Sequence, residues 1–218
     1  MTFSIIGIDK KNKEIGVACF SKAFAVGGIV PEIKLEVGAV CTQSYPNVSY
    51  KDEGINLMKK FSPDKVIEIL TNKDKEKEIR QIIIMNNKGE SAGFSGKKNV
   101  EWRGHTKGKD FICAGNMLVG KRVLTEMKKV FEYSKCSLVE RLIKSLIAGE
   151  KVGGDKRKKK FGSAGLIVEK KNYGVLGIGN RYIDLRVDNS RNAILDLKKL
   201  LKVKLSNEKK WRKKKFGK

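Results

Sequence analysis

The feature that most constrains the fold is an apolar hairpin pattern at the amino terminus. Residues 2–8 are rich in isoleucine, and a polar turn at residues 9–14 separates them from a second apolar run at residues 15–20. Two short apolar runs joined by a polar turn are typical of paired β-strands. We therefore predict a core hairpin that holds Thr2 at the end of a strand, although most chain termini are loose.

The residue at position 2 has a chemical implication as well as a structural one. Methionine aminopeptidases usually remove Met1 when a residue as small as threonine follows it. Thr2 would then carry a hydroxyl and a free α-amine, which can act as a base toward that hydroxyl. The pKa of such an amine is about 8, compared with about 10.4 for lysine, so more of it is neutral at physiological pH. The pattern predicts a nucleophile at Thr2, but an ordinary start codon followed by a strand explains it too.

The charge of the chain is high for a globular protein. Among its 218 residues, 48 Lys and Arg against 24 Asp and Glu give a formal net charge of +24. Such an excess attracts polyanions, including nucleic acids and acidic lipid surfaces. The lysines are nevertheless spread through most of the chain, which is also typical of a solvated surface or of a thermophilic proteome. We therefore expect only weak, non-specific nucleic-acid binding, through residues 156–160 and 209–215.

Cysteine and histidine usage argues against a metal centre. The four cysteines have no close spacing, which fits neither a zinc site nor a disulfide framework. His105 is the only histidine, so multi-histidine sites are excluded while a histidine-based triad stays open. We expect no metal and no cofactor. The chain shows no signal peptide and no apolar run long enough to span a bilayer, so we expect a cytoplasmic protein without a membrane partner.

The remaining apolar patterns alternate between strands and amphipathic helices. Strands are predicted at residues 36–43, 80–85, 91–94, 110–114, 164–169 and 182–187, and helices at residues 49–61, 62–70, 121–133, 137–148 and 192–202. Hairpin turns dominate over parallel crossovers, which predicts an α+β fold, a four-layer α-β-β-α sandwich of two antiparallel sheets. We expect a bend at residues 23–31 and a loop at residues 99–108. Residues 1–204 form one predicted domain, and residues 205–218 a basic, disordered tail.

Eight short motifs, in order between residues 2 and 188, carry a family resemblance. They are Thr2-Phe3-Ser4-Ile5, Phe24-Ala25-Val26-Gly27, Val37-Gly38-Ala39-Val40 with Thr42-Gln43, Arg80-Gln81, Trp102-Arg103-Gly104-His105, Gly115-Asn116-Met117-Leu118, Gly153-Gly154-Asp155-Lys156-Arg157 and Asp184-Leu185-Arg186-Val187-Asp188. Together they resemble the DUF1028 family, uncharacterised proteins placed in the N-terminal nucleophile (Ntn) hydrolase superfamily. The resemblance implies an Ntn-hydrolase-like α-β-β-α fold and no known substrate. The chain departs from the family at residues 158–162, which form a longer and more basic link.

The resemblance supports Thr2 as the nucleophile, and other residues are candidates for assisting it. Peptidases of the superfamily carry a lysine on a neighbouring strand that lowers the pKa of the terminal residue. Lys34 matches by approximate position, with a solvated surface lysine as the alternative. Ser21 ends the second strand and is predicted to orient the amine of Thr2, or only to satisfy the strand end. Asn116 is the candidate oxyanion donor, with a helix or turn cap as the alternative.

Three further predictions concern acid–base chemistry and substrate binding. His105 is a candidate general acid or base, or a residue that shapes its loop by hydrogen bonding. Asp155 with Arg157, and Asp184 with Arg186, are candidates for binding an acidic substrate. Structural salt bridges are the alternative for both pairs. Asp184 and Arg186 are two residues apart on a predicted strand and so share a face.

Taken together, these residues predict an Ntn-type amidohydrolase that cleaves a small amide or peptide-like bond in a small-molecule or peptide-like substrate. Two alternatives belong to other functional classes, because a fold does not fix a function. One is a catalytically silent Ntn fold that serves as a ligand-binding or assembly module. The other is a weak polyanion binder that uses the basic loop and tail. A homo-oligomer is compatible with each of these functions.

Overall fold

The computed structural model describes residues 2–216, and its strands and helices alternate in groups along the chain. The strands are β1 (Thr2–Asp9), β2 (Glu14–Ser21), β3 (Pro31–Lys34), β4 (Gly38–Ser44), β5 (Arg80–Asn86), β6 (Ser91–Ser95), β7 (Gly104–Gly108), β8 (Phe111–Asn116), β9 (Gly162–Lys170) and β10 (Arg181–Ser190). The helices are α1 (Val26–Ile29), α2 (Ser49–Met58), α3 (Pro63–Lys73), α4 (Arg122–Tyr133), α5 (Leu138–Lys151) and α6 (Ala193–Phe216).

The strands form two antiparallel sheets, one of six strands in the order β10-β9-β2-β1-β8-β7 and one of four in the order β3-β4-β5-β6. The hairpin predicted at the amino terminus is confirmed as β1 and β2, and it lies at the centre of the larger sheet. β1 has a paired neighbour on each side, and its first residue, Thr2, pairs with Asn116 of β8.

Three apolar cores divide the protein into four layers. Alternate residues of β1 face opposite sides of the sheet: Phe3 and Ile5 pack against α4, α5 and α6, whereas Ile6 and Ile8 pack against the four-stranded sheet. The outer face of the smaller sheet packs against α2 and α3. This arrangement confirms the predicted four-layer α-β-β-α sandwich.

Helices α4 and α5 match their predicted apolar faces. A capping box starts α5, in which the Ser137 hydroxyl accepts from the Glu140 N–H and the Glu140 carboxylate accepts from the Ser137 N–H. The ring of Phe131 on α4 lies 4.8 Å from that of Phe111 on β8. Gly7 on β1 makes this packing possible, since a β-carbon there would lie 2.6 Å from the Phe131 ring.

Two segments predicted as a bend and a loop contain strands. The bend at residues 23–31 forms α1 and leads directly into β3, and part of the loop at residues 99–108 forms β7. Both β3 and β7 are edge strands. The residues of β7 are half-buried or exposed, so the strand carries no alternating apolar pattern that a sequence could reveal.

The structure also differs from the predicted disorder of residues 205–218, because α6 continues to Phe216; residues 217–218 lie outside the described part. The extension has local partners. The carboxylate of Glu208 pairs with Lys204 and Arg212, and the Arg212 guanidinium lies 3.9 Å from the centre of the Tyr173 ring. Ion pairs four residues apart and cation–π contacts both stabilise a helix that lacks an apolar stripe. Within residues 2–216, no helix has both the length and the hydrophobicity needed to cross a bilayer.

Candidate active site

A row of buried polar side chains crosses four neighbouring strands at one end of the six-stranded sheet. Thr2 pairs with Asn116 of β8, and the register of β1 and β2 places Ser21 beside Thr2. Ser21 in turn pairs with Ser163 of β9. All four residues are at most 6% exposed, so this end of the sheet is polar and shielded from solvent at the same time.

The row faces the second sheet. Thr2 and Ser4 share the face of β1 that points toward the four-stranded sheet, because alternate strand residues lie on the same side. Gln43 of β4 and Gln81 of β5 pair with each other and point back toward the row. The sandwich therefore has amide and hydroxyl groups on both inner faces at this end.

Direct hydrogen bonds join the two sheets here. The Ser4 hydroxyl donates to Oε1 of Gln43 at 2.7 Å, and Nε2 of Gln43 donates to Oε1 of Gln81 at 2.7 Å. The same Gln81 oxygen accepts from Nδ2 of Asn116 at 2.9 Å. Nε2 of Gln43 also lies 3.5 Å from the carbonyl oxygen of Thr2. A connected buried network of this kind fixes the orientation of each amide.

The network extends to the edge of the sandwich through Gln81. Its Nε2 group lies 2.9 Å from the carbonyl oxygen of Gly115, 3.1 Å from that of Gly104 and 2.8 Å from the hydroxyl of Ser95. The Ser95 hydroxyl is 3.3 Å from Nδ1 of His105. Partial burial of the ring and the positive charge of Lys107 lower the pKa of His105. His105 is thus linked to the polar row through Ser95 and Gln81, two strands away from β1.

On the other side of Thr2, the Ser21 hydroxyl leads to a buried ion pair. Ser21 accepts hydrogen bonds from Nη2 of Arg157 and from the Ala23 N–H, each at 3.2 Å. Arg157 binds the carboxylate of Asp155 through Nη2 at 2.7 Å and Nε at 3.1 Å. Asp155 also accepts from the Lys22 N–H at 3.0 Å. Asp155 and Arg157 therefore form an ion pair with each other, and the pair holds the Arg157 guanidinium against Ser21.

Glu150, at the end of α5, joins this ion-pair cluster, and the sequence analysis missed it. Burial raises its pKa, and the negative charge of Asp155 adds to this while Lys22 opposes it. Among the described residues, its Oε2 atom is buried without a hydrogen-bond donor. Gly154 makes room for it: with φ at +41°, a β-carbon there would lie 2.1 Å from this oxygen. The motif that contains Gly154 was the sequence signal that could have indicated a role for Glu150, because the apolar pattern of the helix gives none.

The structure does not bring Lys34 to Thr2. Lys34 is exposed and pairs with Gly38 at the start of β4, whereas Gln43, the neighbour of Thr2, lies five residues further along the same strand. Lys34 is therefore at the opposite end of the sandwich. Instead, the cation that contacts Ser21 is Arg157, which comes from a loop rather than from the neighbouring strand that the resemblance suggested.

Asp184 and Arg186 lie on β10, three strands away from β1. They share one face of the strand, as predicted, and both are exposed. Asp184 lies 3.8 Å from Arg181, and the Arg186 side chain crosses Gly27 of α1. These residues line an open cleft of about 460 Å³. The two predicted acid–arginine pairs thus belong to separate places on the protein.

Seven residues of the site were absent from the sequence prediction: Ser4, Lys22, Gln43, Gln81, Ser95, Glu150 and Ser163. Three of them, Ser4, Gln43 and Gln81, fall inside the motifs that carry the family resemblance, and this was the available signal. Among residues 2–216, no three side chains of His, Cys, Asp or Glu come together in a way that could hold a metal ion.

Comparison with known proteins agrees with the fold and the motifs. The model of DUF1028, a family of unknown function, matches residues 2–197, so the chain belongs to the DUF1028 family. The crystal structure of protein SPO2555 from Silicibacter pomeroyi, of the same family, is similar to this chain with a TM-score of 0.83 and 27% sequence identity. The similarity covers 92% of this chain and 88% of that chain. No curated protein matches this chain.

Proposed function

We propose that the protein is an Ntn-type amidohydrolase that uses Thr2 to cleave a small amide or peptide-like bond. The observation that carries this proposal is the position of Thr2 between two fixed polar groups. The amide network of Asn116 and Gln81 lies on one side, and Ser21 with Arg157 lies on the other. The mechanism requires removal of Met1, which lies outside the described residues.

In the proposed reaction, the Thr2 hydroxyl oxygen attacks the substrate carbonyl carbon while its proton passes to the α-amine of Thr2 through a water molecule. The carbonyl oxygen becomes an oxyanion. The C–N bond then breaks, and the leaving amine takes a proton from the α-ammonium group. An ester between Thr2 and the acyl group results, and water hydrolyses it to a carboxylic acid and free Thr2.

Asn116 fits the role of oxyanion donor in this reaction. Its side chain is the same-face neighbour of Thr2 on the adjacent strand, a position where β-carbons lie about 4.5–5.5 Å apart. One N–H of its amide donates to Gln81, which fixes the group and leaves a second N–H for a ligand. Fixed donors aimed at a developing negative charge are usually the largest contribution to such catalysis.

Arg157 takes the role that the sequence gave to Lys34. A cation near an amine disfavours the protonated form and lowers the pKa of the amine. The Arg157 guanidinium reaches the Ser21 hydroxyl beside Thr2, so in this proposal Arg157 is the cation that favours the neutral α-amine, with its Asp155 partner reducing the effect. Lys22 has a structural role instead. Its Nζ donates to the carbonyl oxygens of Asp155 and Arg157 and so stabilises the loop that carries Arg157.

The test is covalent labelling of the mature protein with a β-lactone probe, read by intact mass and peptide mapping. Burial raises the pKa of Cys19 to about 12 and raises those of Cys41 and Cys113 as well, so these thiols compete little. Cys136 is half-buried, and a Cys136→Ser background removes it as a competing nucleophile.

We expect one adduct, on Thr2. Thr2→Ala should abolish it with nearly unchanged thermal stability, because only a hydroxyl and a methyl group are lost at a strand end. Thr2→Ser should keep part of the reactivity, since serine retains both the hydroxyl and the terminal amine. Retention of Met1 or acetylation of Thr2 in the native protein would contradict the amine-as-base mechanism. If the protein lacks Met1 and still does not label, the silent ligand-binding module is the better function.

A further inference from the structure

The turn between β9 and β10 exposes three large aliphatic side chains next to each other. Val175 is 80% exposed, Leu176 60% and Ile178 79%. Single exposed apolar residues are common on proteins, but a contiguous group is typical of an interaction site. We call residues 174–179 the apolar tip.

The apolar tip has an ordered backbone. The N–H of Gly174 donates to the carbonyl of Gly179 at 2.9 Å, that of Gly177 to Gly174 at 2.9 Å and that of Ile178 to Val175 at 3.0 Å. The turn therefore satisfies several of its own backbone polar groups. This lowers the cost of moving the turn into a less polar environment, where unpaired N–H and carbonyl groups are unfavourable.

Aromatic and cationic contacts tie the base of the tip to the end of α6. The ring of Tyr173 packs edge-on against Tyr182 with centroids 5.4 Å apart. The Arg212 guanidinium lies 3.9 Å from the Tyr173 ring centre, and the Lys170 ammonium lies 4.2 Å from it. The last turns of α6 are consequently held beside the apolar tip.

These last turns bring a concentration of positive charge. Lysines at positions 171, 209, 210, 213 and 214 are exposed, and we call them the basic collar. Glu208 is the only acidic residue between positions 197 and 218, and it is already paired with Lys204 and Arg212. The end of α6 therefore presents mostly positive charge beside the base of the tip, while Glu36 lies with Lys171 on its other side.

We infer that the apolar tip and the basic collar dock together on an anionic phospholipid bilayer. The aliphatic side chains would enter the interface between headgroups and acyl chains, and the lysines would contact the anionic headgroups. A second copy of this chain fits less well, because it would bring the same positive collar into contact. A nucleic acid would use the lysines but would give the aliphatic side chains nothing to bury against. The expectation of no membrane partner was based on the absence of a membrane-spanning segment, and docking on the bilayer surface does not require such a segment.

The test is co-sedimentation of the full-length protein with phosphatidylserine-containing vesicles and with pure phosphatidylcholine vesicles at about 0.1 M salt. We expect binding to the anionic vesicles only, weakening as salt is raised. The double change Val175→Ser and Ile178→Ser should reduce binding about tenfold or more. Lys213→Glu with Lys214→Glu should reduce it about fivefold or more. Tyr133→Ser on α4 removes a side chain that is 77% exposed elsewhere, and this matched control should bind like the unchanged protein.

Several results would overturn the inference. One is the absence of binding to anionic vesicles, and another is equal binding by the Val175→Ser, Ile178→Ser variant with an unchanged circular dichroism spectrum. Light scattering that shows a dimer, dispersed by the same two changes, would assign the tip to a second copy. Binding of single-stranded RNA that depends on the lysines but not on the aliphatic residues, without vesicle binding, would assign the collar to nucleic acid.

Discussion

The layer between the two sheets has a network of buried amides at one end and an apolar middle. At the Thr2 end, Gln43 and Gln81 meet Ser4 and Asn116 through hydrogen bonds. Further along the same strands, the corresponding positions are apolar, and residues such as Ile83 are fully buried. Apolar side chains could join the sheets at both ends, whereas buried amides must each find a partner to avoid a desolvation cost. The buried amides at the Thr2 end therefore stabilise the sandwich less than apolar side chains would, but they provide fixed hydrogen-bonding groups that a reaction can use.

The largest expected effect concerns the polar end. Asn116→Ala should slow acylation of Thr2 by about 10²–10³-fold if its amide stabilises the oxyanion. The measurement is the rate of β-lactone labelling followed by mass spectrometry. Asn86→Ala is the matched control, because Asn86 is a buried asparagine bonded to Glu90 at the far end of β5. Equal labelling rates for the two variants would remove Asn116 from the mechanism.

A second comparison separates stability from reactivity along β5. Ile83→Ala leaves a cavity in the apolar part and should cost about 2–5 kcal/mol of unfolding free energy, with labelling retained. Gln81→Leu removes the acceptor used by Gln43 and Asn116 and should cost about 1–3 kcal/mol for the groups left unpaired, with labelling slowed. Urea unfolding measures both free energies. A Gln81→Leu protein that is more stable and fully reactive would show that the network only fills space.

The smallest expected effect tests Glu150 by its pH dependence. Its pKa is raised mainly by burial, so its contribution to stability is present below its unfolded pKa of about 4.3 and is lost as pH rises through the folded pKa. Glu150→Gln removes this titration. The variant should therefore gain in Tm relative to the unchanged protein as the pH rises above about 4.3, by about 2–4 °C for each kcal/mol.

The control for this experiment is Glu53→Gln, which changes an exposed carboxylate on α2. Its Tm should change with pH in the same way as that of the unchanged protein. If the Glu150→Gln curve is parallel as well, Glu150 does not titrate differently in the folded and unfolded states.

Local patterns were sufficient to predict the framework of the fold. The β1–β2 hairpin is visible as two apolar runs around a polar turn, and the buried face of α5 is visible in the spacing of Leu138, Leu142 and Leu146. These elements obey a periodicity of two or 3.6 residues that depends only on neighbouring positions. Edge strand β7 and the extension of α6 have no such apolar period, and both were missed.

The interior of the candidate site could not be predicted in the same way, because its contacts join distant parts of the chain. Gln43 and Gln81 are 38 residues apart, and Ser21 and Arg157 are 136 residues apart. Which residues face each other depends on how the two sheets are aligned, and no local pattern encodes that alignment. Lys34 illustrates the point, since it lies on β3, near β2, but at the opposite end of the sandwich from Thr2.

The central position of β1 also bears on the removal of Met1 that the proposed mechanism requires. Thr2 is only 6% exposed in the folded chain, and it pairs with β8, which ends at Asn116. At synthesis rates of about 5–20 residues per second, the ribosome reaches that strand end after roughly 6–23 s. We therefore expect an aminopeptidase to reach the amino terminus most readily in this interval, and slower translation of the first half of the chain to increase the fraction of molecules that begin at Thr2.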